Sequence, residues 1–369
     1  MAAGTRSSLL KRSGLALLDT IGVLDLARAW RQERSVVLTY HGVLSGTDDT
    51  NDFLNHNFVA EEAFDRHLRF ITSHYRPISL KDLVACYRRN VAPPPRSIAL
   101  TFDDGFANNC TVAFPLLRRY SIPFTVFLTT ELIDRPGAQL WTERVKRAVY
   151  LYPEGSVTIR LLDREFACDL RSPAAREDSA RRILQILKRQ APHVRDESVE
   201  KIETVCGRPP LATADGERYT FLTWTQVKDM AAAGVEFGSH TVSHPILTTL
   251  DDETLARELR HSKEQIEEAL GVECYAFAYP NGSAADYGVR EKCALRQAGY
   301  ACGLSLRNSL NGPSPDMYEI DRVNIGRQFD PITFHAALTG VLGGARRVRD
   351  LLARTRPQRH AGAAATQLR

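Results

Sequence analysis

Two pairs of residues in this sequence have the types and spacing to do chemistry. Thr101-Phe102-Asp103-Asp104-Gly105 sets two carboxylates directly after the apolar run Ser97–Leu100. Consecutive side chains at a strand end point in different directions, so one carboxylate can bind a metal while its neighbour reaches a metal-bound water. Taken alone, Asp-Asp-Gly fits an ordinary turn or helix cap as well. The second pair is His240 and His244, in Gly238-Ser239-His240-Thr241-Val242-Ser243-His244-Pro245, after the apolar run Val235–Phe237. Imidazoles four residues apart meet on one face if the chain turns helically. Imidazole with carboxylate is a ligand set for zinc or another divalent transition metal. Ser239, Thr241, Ser243 or a backbone carbonyl can hold the second ring nitrogen and fix its tautomer. Three protein ligands leave positions open for water and a substrate carbonyl.

Three further segments belong to the same chemistry. Leu38-Thr39-Tyr40-His41-Gly42 ends the earliest expected strand. An isolated histidine is more often a structural hydrogen-bonder, but amide hydrolysis needs an acid at the leaving nitrogen, and His41 suits that task near neutral pH. Pro280-Asn281-Gly282 is a turn, and its backbone N–H groups can face a developing oxyanion, with Tyr279 and Asn281 as the oxyanion and substrate candidates. Asp321-Arg322 supplies an arginine that either keeps Asp103 ionised and oriented or forms a structural ion pair.

These residues must be positioned by elements, and the pattern predicts them. Short apolar runs alternate with helical periodicity, the mark of a parallel α/β sheet or barrel. The expected strands are Ser35–Tyr40, Ser97–Phe102, Pro123–Thr129, Val235–Gly238, Tyr275–Tyr279, Tyr300–Leu304 and Arg322–Ile325. Seven such strands suit a barrel, whose active site lies at the strands' C-terminal ends. Helices are expected at Glu61–Tyr75, with Phe64, Leu68, Ile71 and Tyr75 on one face, and at Asp251–Leu270, stopped by Gly271, with Leu255, Leu259, Ile266 and Leu270 buried. The segment 135–219 breaks the rhythm. A helix (Glu143–Tyr150), a strand pair (Ser156–Arg160, Glu165–Leu170) and a charged helix (Ala175–Gln190) read as an inserted α+β subdomain over the site, closed by the polar stretch Gly207–Arg218. The domain plan is therefore an N-terminal helix in 1–34, a barrel over 35–340 and a basic flexible tail over 341–369.

The bulk numbers are ordinary for a soluble globular protein. A net charge of +4 over 369 residues is too small to suggest nucleic-acid binding. The seven cysteines form no Cys-x-x-Cys pair, which suggests reduced, mostly buried thiols in a cytosolic setting. The apolar stretch Ser13–Ala29 is interrupted by Asp19 and Asp25, against both a secretory signal and a bilayer span. It predicts an amphipathic helix bearing Leu9, Leu10, Leu17, Leu18, Ile21, Leu24 and Leu26 among basic residues, either packed on the barrel or lying on a membrane surface. The expected location is the cytoplasm or the inner membrane face. The oligomeric state is not readable.

Together these residues resemble the polysaccharide deacetylase family, which shares the homology domain of the nodulation chitooligosaccharide deacetylase. Thr101–Gly105 matches its Thr-Phe-Asp-Asp-Gly motif, and His240–His244 its His-[Ser/Thr]-x-x-His motif. The resemblance implies a distorted (β/α)7 barrel, Asp103 as general base, and Asp104, His240 and His244 holding a divalent metal, zinc first. Its third motif, Arg-x-x-Pro-Tyr, stands here as Ala276–Asn281, with Asn281 in the tyrosine's place, and Arg322 is the candidate to replace the missing arginine. The late Leu-x-x-His motif is absent. Leu38–His41 resembles instead the circularly permuted members whose first strand carries that histidine. The resemblance covers roughly 35–135 and 220–330.

The function implied is a metal-dependent hydrolase that removes an acyl group, acetyl foremost, from an amino sugar in a polysaccharide, oligosaccharide or lipid-linked glycan. The partner expected is an N-acetylated glycan or glycolipid, with Trp141, Trp224 and Tyr287 as sugar-stacking or, more simply, packing residues. The rivals are deformylation or another non-peptide amidase reaction on the same scaffold, and a non-catalytic glycan-binding barrel.

Overall fold

The computed structural model describes residues 13–46, 53–209 and 219–342. Its centre is a curled, fully parallel sheet of the (β/α)7 type. The strands are β1 (Val36–Tyr40), β5 (Ser97–Phe102), β6 (Phe124–Leu128), β9 (Glu236–Ser239), β10 (Ala276–Ala278), β11 (Cys302–Leu304) and β12 (Val323–Asn324), in the order β11-β10-β9-β6-β5-β1-β12. Every residue of β1, β5 and β6 is buried, which is why these strands read as continuous apolar runs. Thr39 opposite Thr101, and Leu128 opposite Ser239, set the register that brings the C-terminal ends level. The parallel bridge Leu304–Ile320 draws the β11 edge toward the segment that leads into β12. A short strand, β4 (Arg76–Pro77), also pairs with β5, and β2 (Gly42–Leu44) pairs with β3 (Phe58–Ala60) beside it.

The helices around the sheet are α1 (Val23–Trp30), α2 (Glu61–His74), α3 (Leu80–Arg88), α4 (Phe114–Arg119), α5 (Trp141–Tyr150), α6 (Pro173–Leu187), α7 (Pro192–Cys206), α8 (Trp224–Ala232), α9 (Asp252–Leu270), α10 (Val289–Gln297) and α11 (Pro331–Leu338). The α9 boundaries have clear causes. Asp251 accepts from the Thr254 N–H at 2.7 Å, and Gly271 ends the helix at φ 67. Its buried face differs from the expected apolar stripe: Glu258 and Ser262 lie in it, while Leu270 is half-buried.

The segment after β6 builds a second core. The hairpin of β7 (Ser156–Leu161) and β8 (Arg164–Asp169) turns through Leu162 and Asp163, both at positive φ. It packs with α5, α6 and α7 around Val145, Ile159, Leu170, Ile183 and Ile202, and Phe53 and Leu54 join from the main fold. Helix α7 was not expected from the sequence, because Arg195 and Ser198 occupy buried positions and dilute its apolar period.

At the N-terminus the expected continuous helix is broken. Residues 13–20 are helical, Gly22 turns the chain at φ 75, and α1 follows. Among the described residues of the expected apolar set, Leu24 alone is fully buried, whereas Leu17, Ile21 and Leu26 face solvent. Leu9 and Leu10, most of the stretch 207–218 and the tail beyond 342 lie outside the described residues. Among the described residues no helix is long and apolar enough to cross a membrane. All seven cysteines are free, four of them buried and Cys293 exposed.

Candidate metal centre and catalytic cleft

The loops after β5 and β9 deliver the two pairs to one point. Asp103 continues the ladder, its N–H donating to the Tyr40 carbonyl at 2.9 Å. The chain then reverses through Asp104 and Gly105, at φ 72 and 81, which turns the Asp104 side chain toward β9. A Cβ on Gly105 would stand 2.8 Å from Leu128 Cδ2, so this approach needs glycine. His240 follows β9 directly. Its Nδ1 donates to the Ala278 carbonyl at 2.8 Å, which presents Nε2 to the cleft 3.6 Å from Asp104 Oδ1. His244 Nε2 is 3.5 Å from the same oxygen.

The expected helical turn between the histidines is absent. Thr241 and His244 sit at φ 71 and 58, and a loop folds back on α9. Glu258 holds that loop by accepting from the N–H groups of Val242 and Ser243, at 2.8 and 3.1 Å, and from Ser243 Oγ at 2.8 Å. His244 is braced by its own N–H, which donates to Thr241 Oγ1 at 2.9 Å.

One donor atom each from Asp104, His240 and His244 lies within 4.8 Å of the others. Donors about 2.1 Å from a shared tetrahedral ion stand about 3.4 Å apart, close to the two distances observed. The chemistry of the donors agrees. Asp104 Oδ1 is buried and has no hydrogen-bond partner among the described residues. Burial first, then the charges of Asp103 and Glu143, push the Asp104 carboxyl well above its ordinary range, the state of a buried carboxylate short of a cation. Burial draws both histidines down, to the neutral form that binds metal.

Arg322 occupies no strand. It lies just before β12, with a fully buried side chain that grips both oxygens of Asp103 at 2.7 and 2.8 Å and also donates to Ser305 O at 3.1 Å. Burial raises the Asp103 pKa, but the Arg322 charge and hydrogen bonds, with His240, outweigh it and hold the carboxyl below its ordinary value. His41 lines the cleft from the end of β1, its Nδ1 buried without a partner among the described residues. Asn281, at φ 60, lines it from the turn after β10, with no protein acceptor for its N–H among the described residues. Tyr279 does not join them. Its ring stacks on Tyr287 at 4.2 Å, its hydroxyl donates to Tyr318 O, and its N–H is used by Leu304 O. The alternation of β10 sends that side chain into the wall, which corrects its assignment to substrate. Tyr287 is thereby packing too, and Trp224 lies off the cleft, whereas Trp141 lines it.

The cleft, about 430 Å³, is walled on one side by the inserted segment. Glu143 and Lys146 of α5 enter as a buried pair 2.6 Å apart, and Glu143 Oε2 has no partner. Arg181, Leu184 and Gln185 of α6, with Lys188 at its C-cap, line the same wall, as does His56 from the opposite side. The sequence marked none of these as functional. Their only local signal is the 3, 4, 7 spacing of the α6 residues, which ordinary packing also produces.

Comparison with known proteins follows this geometry. The family model for polysaccharide deacetylases matches residues 90–163 and 177–303, which reaches into the inserted segment. YxkH of Bacillus subtilis, assigned by name to polysaccharide deacetylases, is 19% identical over 290 residues, covering 78% of this chain and 70% of that protein. The poly-beta-1,6-N-acetyl-D-glucosamine N-deacetylase of Staphylococcus epidermidis is 29% identical over 114 residues, 39% of its length. Among solved structures, the Streptococcus pyogenes deacetylase PplD in complex with acetate superposes with a TM-score of 0.55 at 18% identity, covering 83% of this chain and 98% of that one. At that identity the superposition speaks for the fold.

Proposed function

The chain belongs to the polysaccharide deacetylase family, and from that premise we propose that it hydrolyses the N-acetyl group of an amino sugar within a glycan or glycolipid, with Asp103 as base and His41 as acid. The observation that carries this reading is the convergence of Asp104, His240 and His244 beside an ionised Asp103 that makes no demand on the same centre. A divalent cation held by those three residues, with zinc the first candidate, supplies Lewis acidity for the acyl oxygen and lowers the pKa of water.

The chain's own residues do the rest. Arg322 fixes Asp103 in one orientation, and Asp103 accepts the proton of the attacking water as its oxygen bonds to the acyl carbon. The N–H of Asn281 donates to the developing oxyanion. The C–N bond then breaks with its electron pair going to nitrogen, and that nitrogen takes a proton from His41. Burial draws His41 down to about 4, against the pull of Asp103, so the ring is neutral at rest. It takes up a proton from solvent as negative charge builds beside it, and Asp103 returns the proton it accepted to water once acetate has left. The products are acetate and a free amine.

The test is acetate release from a panel of N-acetylated glycans, with N-formyl analogues alongside, in the presence and absence of chelator. Formate release alone would replace acetyl with formyl. Glycan binding with no release from any substrate, unchanged in Asp103→Asn, would favour a binding protein instead.

The N-terminal segment supports a second, separate proposal: contact with an anionic membrane surface. Leu17, Ile21, Leu26 and Trp30 are 62–82% exposed, and the sequence around them carries Lys11, Arg12, Arg28, Arg31 and Arg34. Apolar residues that insert, next to cations that meet anionic headgroups, are the composition of an interfacial helix.

A further inference from the structure

The charges along the cleft do not cancel. Of its carboxylates, Asp103 is matched by buried Arg322, and Glu143 by Lys146 at 2.6 Å. Asp104 belongs to the metal centre. Lys188 has no carboxylate in contact among the described residues. Its one hydrogen bond goes to the neutral Asn281 Oδ1 at 2.5 Å, and Asp286, whose charge reaches it only from beyond contact, is occupied with Asn281 Nδ2 and the Ser283 N–H. A half-buried lysine at a cleft wall with no carboxylate in contact has N–H donors to offer an incoming anion. Arg181 stands on the same face, two helical turns or about 10 Å earlier. Its one ion pair is with Glu177, an exposed contact of the kind that holds little energy against a competing anion.

We propose that the cleft takes an N-acyl amino sugar bearing an anionic group, a phosphate or a carboxylate, which Lys188 binds with Arg181 beside it. The inference rests on the deacetylase reading and narrows its substrate class. A neutral sugar would leave the half-buried Lys188 ammonium with only an amide oxygen as partner. An anion supplies the missing charge through the two N–H donors that Asn281 does not use. The anionic group can be a sugar phosphate, the diphosphate of a carrier-linked sugar or an acidic residue in a glycan.

The experiment pairs an anionic substrate with a neutral one: N-acetylglucosamine 1-phosphate with N-acetylglucosamine, UDP-N-acetylglucosamine with N,N′-diacetylchitobiose, and an N-acetylated oligosaccharide containing a uronic acid with its neutral counterpart. The expected result is kcat/KM at least tenfold higher for the anionic member of one pair at low salt, with the advantage shrinking as salt rises. Lys188→Gln should remove the anionic member's advantage through KM, and Lys188→Arg should restore part of it. Arg181→Gln, at an exposed position where folding is not at stake, should weaken it. Independently of turnover, calorimetry of chelator-treated protein should detect glucose 1-phosphate and not glucose, and Lys188→Gln should abolish that heat. Equal kcat/KM within every pair would overturn the inference and leave the deacetylase reading standing. Binding of glucose 1-phosphate with no deacetylation of any substrate would do the reverse. Neither binding nor turnover would end both.

Discussion

Arg322 and Asp103, 219 residues apart in sequence, meet through two parallel hydrogen bonds of 2.7 and 2.8 Å, with both side chains buried. The fork matches both carboxylate oxygens, so it fixes orientation as well as charge. Arg322→Met should therefore strand a buried carboxylate and cost about 3–5 kcal/mol of stability. Arg322→Lys should keep part of the stability but lose the two-point grip, with kcat still depressed. Urea unfolding read alongside kcat separates the two effects. Wild-type stability in Arg322→Met would mean that Asp103 is not charged.

Asp103→Asn keeps the shape of the site and removes its base. Deacetylation should fall about 10²–10⁴-fold, while metal content, measured by elemental analysis after dialysis, stays at the wild-type level. His240→Ala and His244→Ala should lose both. If Asp103→Asn alone released the metal, the roles of the two aspartates would have to be exchanged.

Glu258 touches no ligand atom, yet it ties down three groups of the loop that carries His244. Glu258→Gln retains one acceptor oxygen and loses the charge. Metal affinity should drop about 10–100-fold, as when other supports of metal ligands are removed. Competition with a chromogenic chelator measures this, and an unchanged affinity would show the loop to be held by other contacts.

His67 stacks on Phe334 at 3.8 Å, and burial takes its pKa down to about 3. Released by unfolding, the ring returns to about 6.5. The unfolded chain thus binds the extra proton first, so this contribution to stability is intact above pH 6.5 and declines as pH falls from there toward 3. His56, also drawn to about 3 by burial, adds a decline of the same sign. Thermal melts from pH 7.5 to 4 should show Tm falling, with a shallower slope in His67→Phe. Parallel slopes would exclude His67 as a contributor.

Leu26→Ser with Trp30→Ser removes exposed apolar surface from α1 and no buried contact of the core. Co-sedimentation with vesicles containing phosphatidylglycerol should fall several-fold in this variant, and neutral phosphatidylcholine vesicles should bind neither protein. Equal pelleting of variant and wild type would remove the membrane proposal. A concentration-dependent dimer lost in the variant would reassign the stripe to a second copy of the chain.

Much of this was legible in the chain itself. Ser97–Phe102 carries Ile98, Ala99, Leu100 and Phe102 with no charged residue because both its faces are buried, and that run locates Asp103 and Asp104 at a strand end. The same reasoning places His41 after β1 and His240 after β9, since each strand announces itself by local composition. Tyr279 was misjudged because period-2 alternation tells which residues share a face, not which face meets the cleft. The broken N-terminal helix was hidden by a single residue, Gly22, whose freedom at positive φ leaves no mark in an apolar pattern.

What the tertiary structure decided is everything that joins distant segments: Arg322 to Asp103, Lys188 to Asn281, and the helix bearing the Glu143–Lys146 pair to the cleft that holds the metal centre. Secondary structure follows from forces between residues a few positions apart, so a sequence carries it openly. Partnership across 93 or 219 residues depends on strand order and on which helix face the packing turns inward. Those are outcomes of burying the whole chain at once, and no short stretch of it contains them.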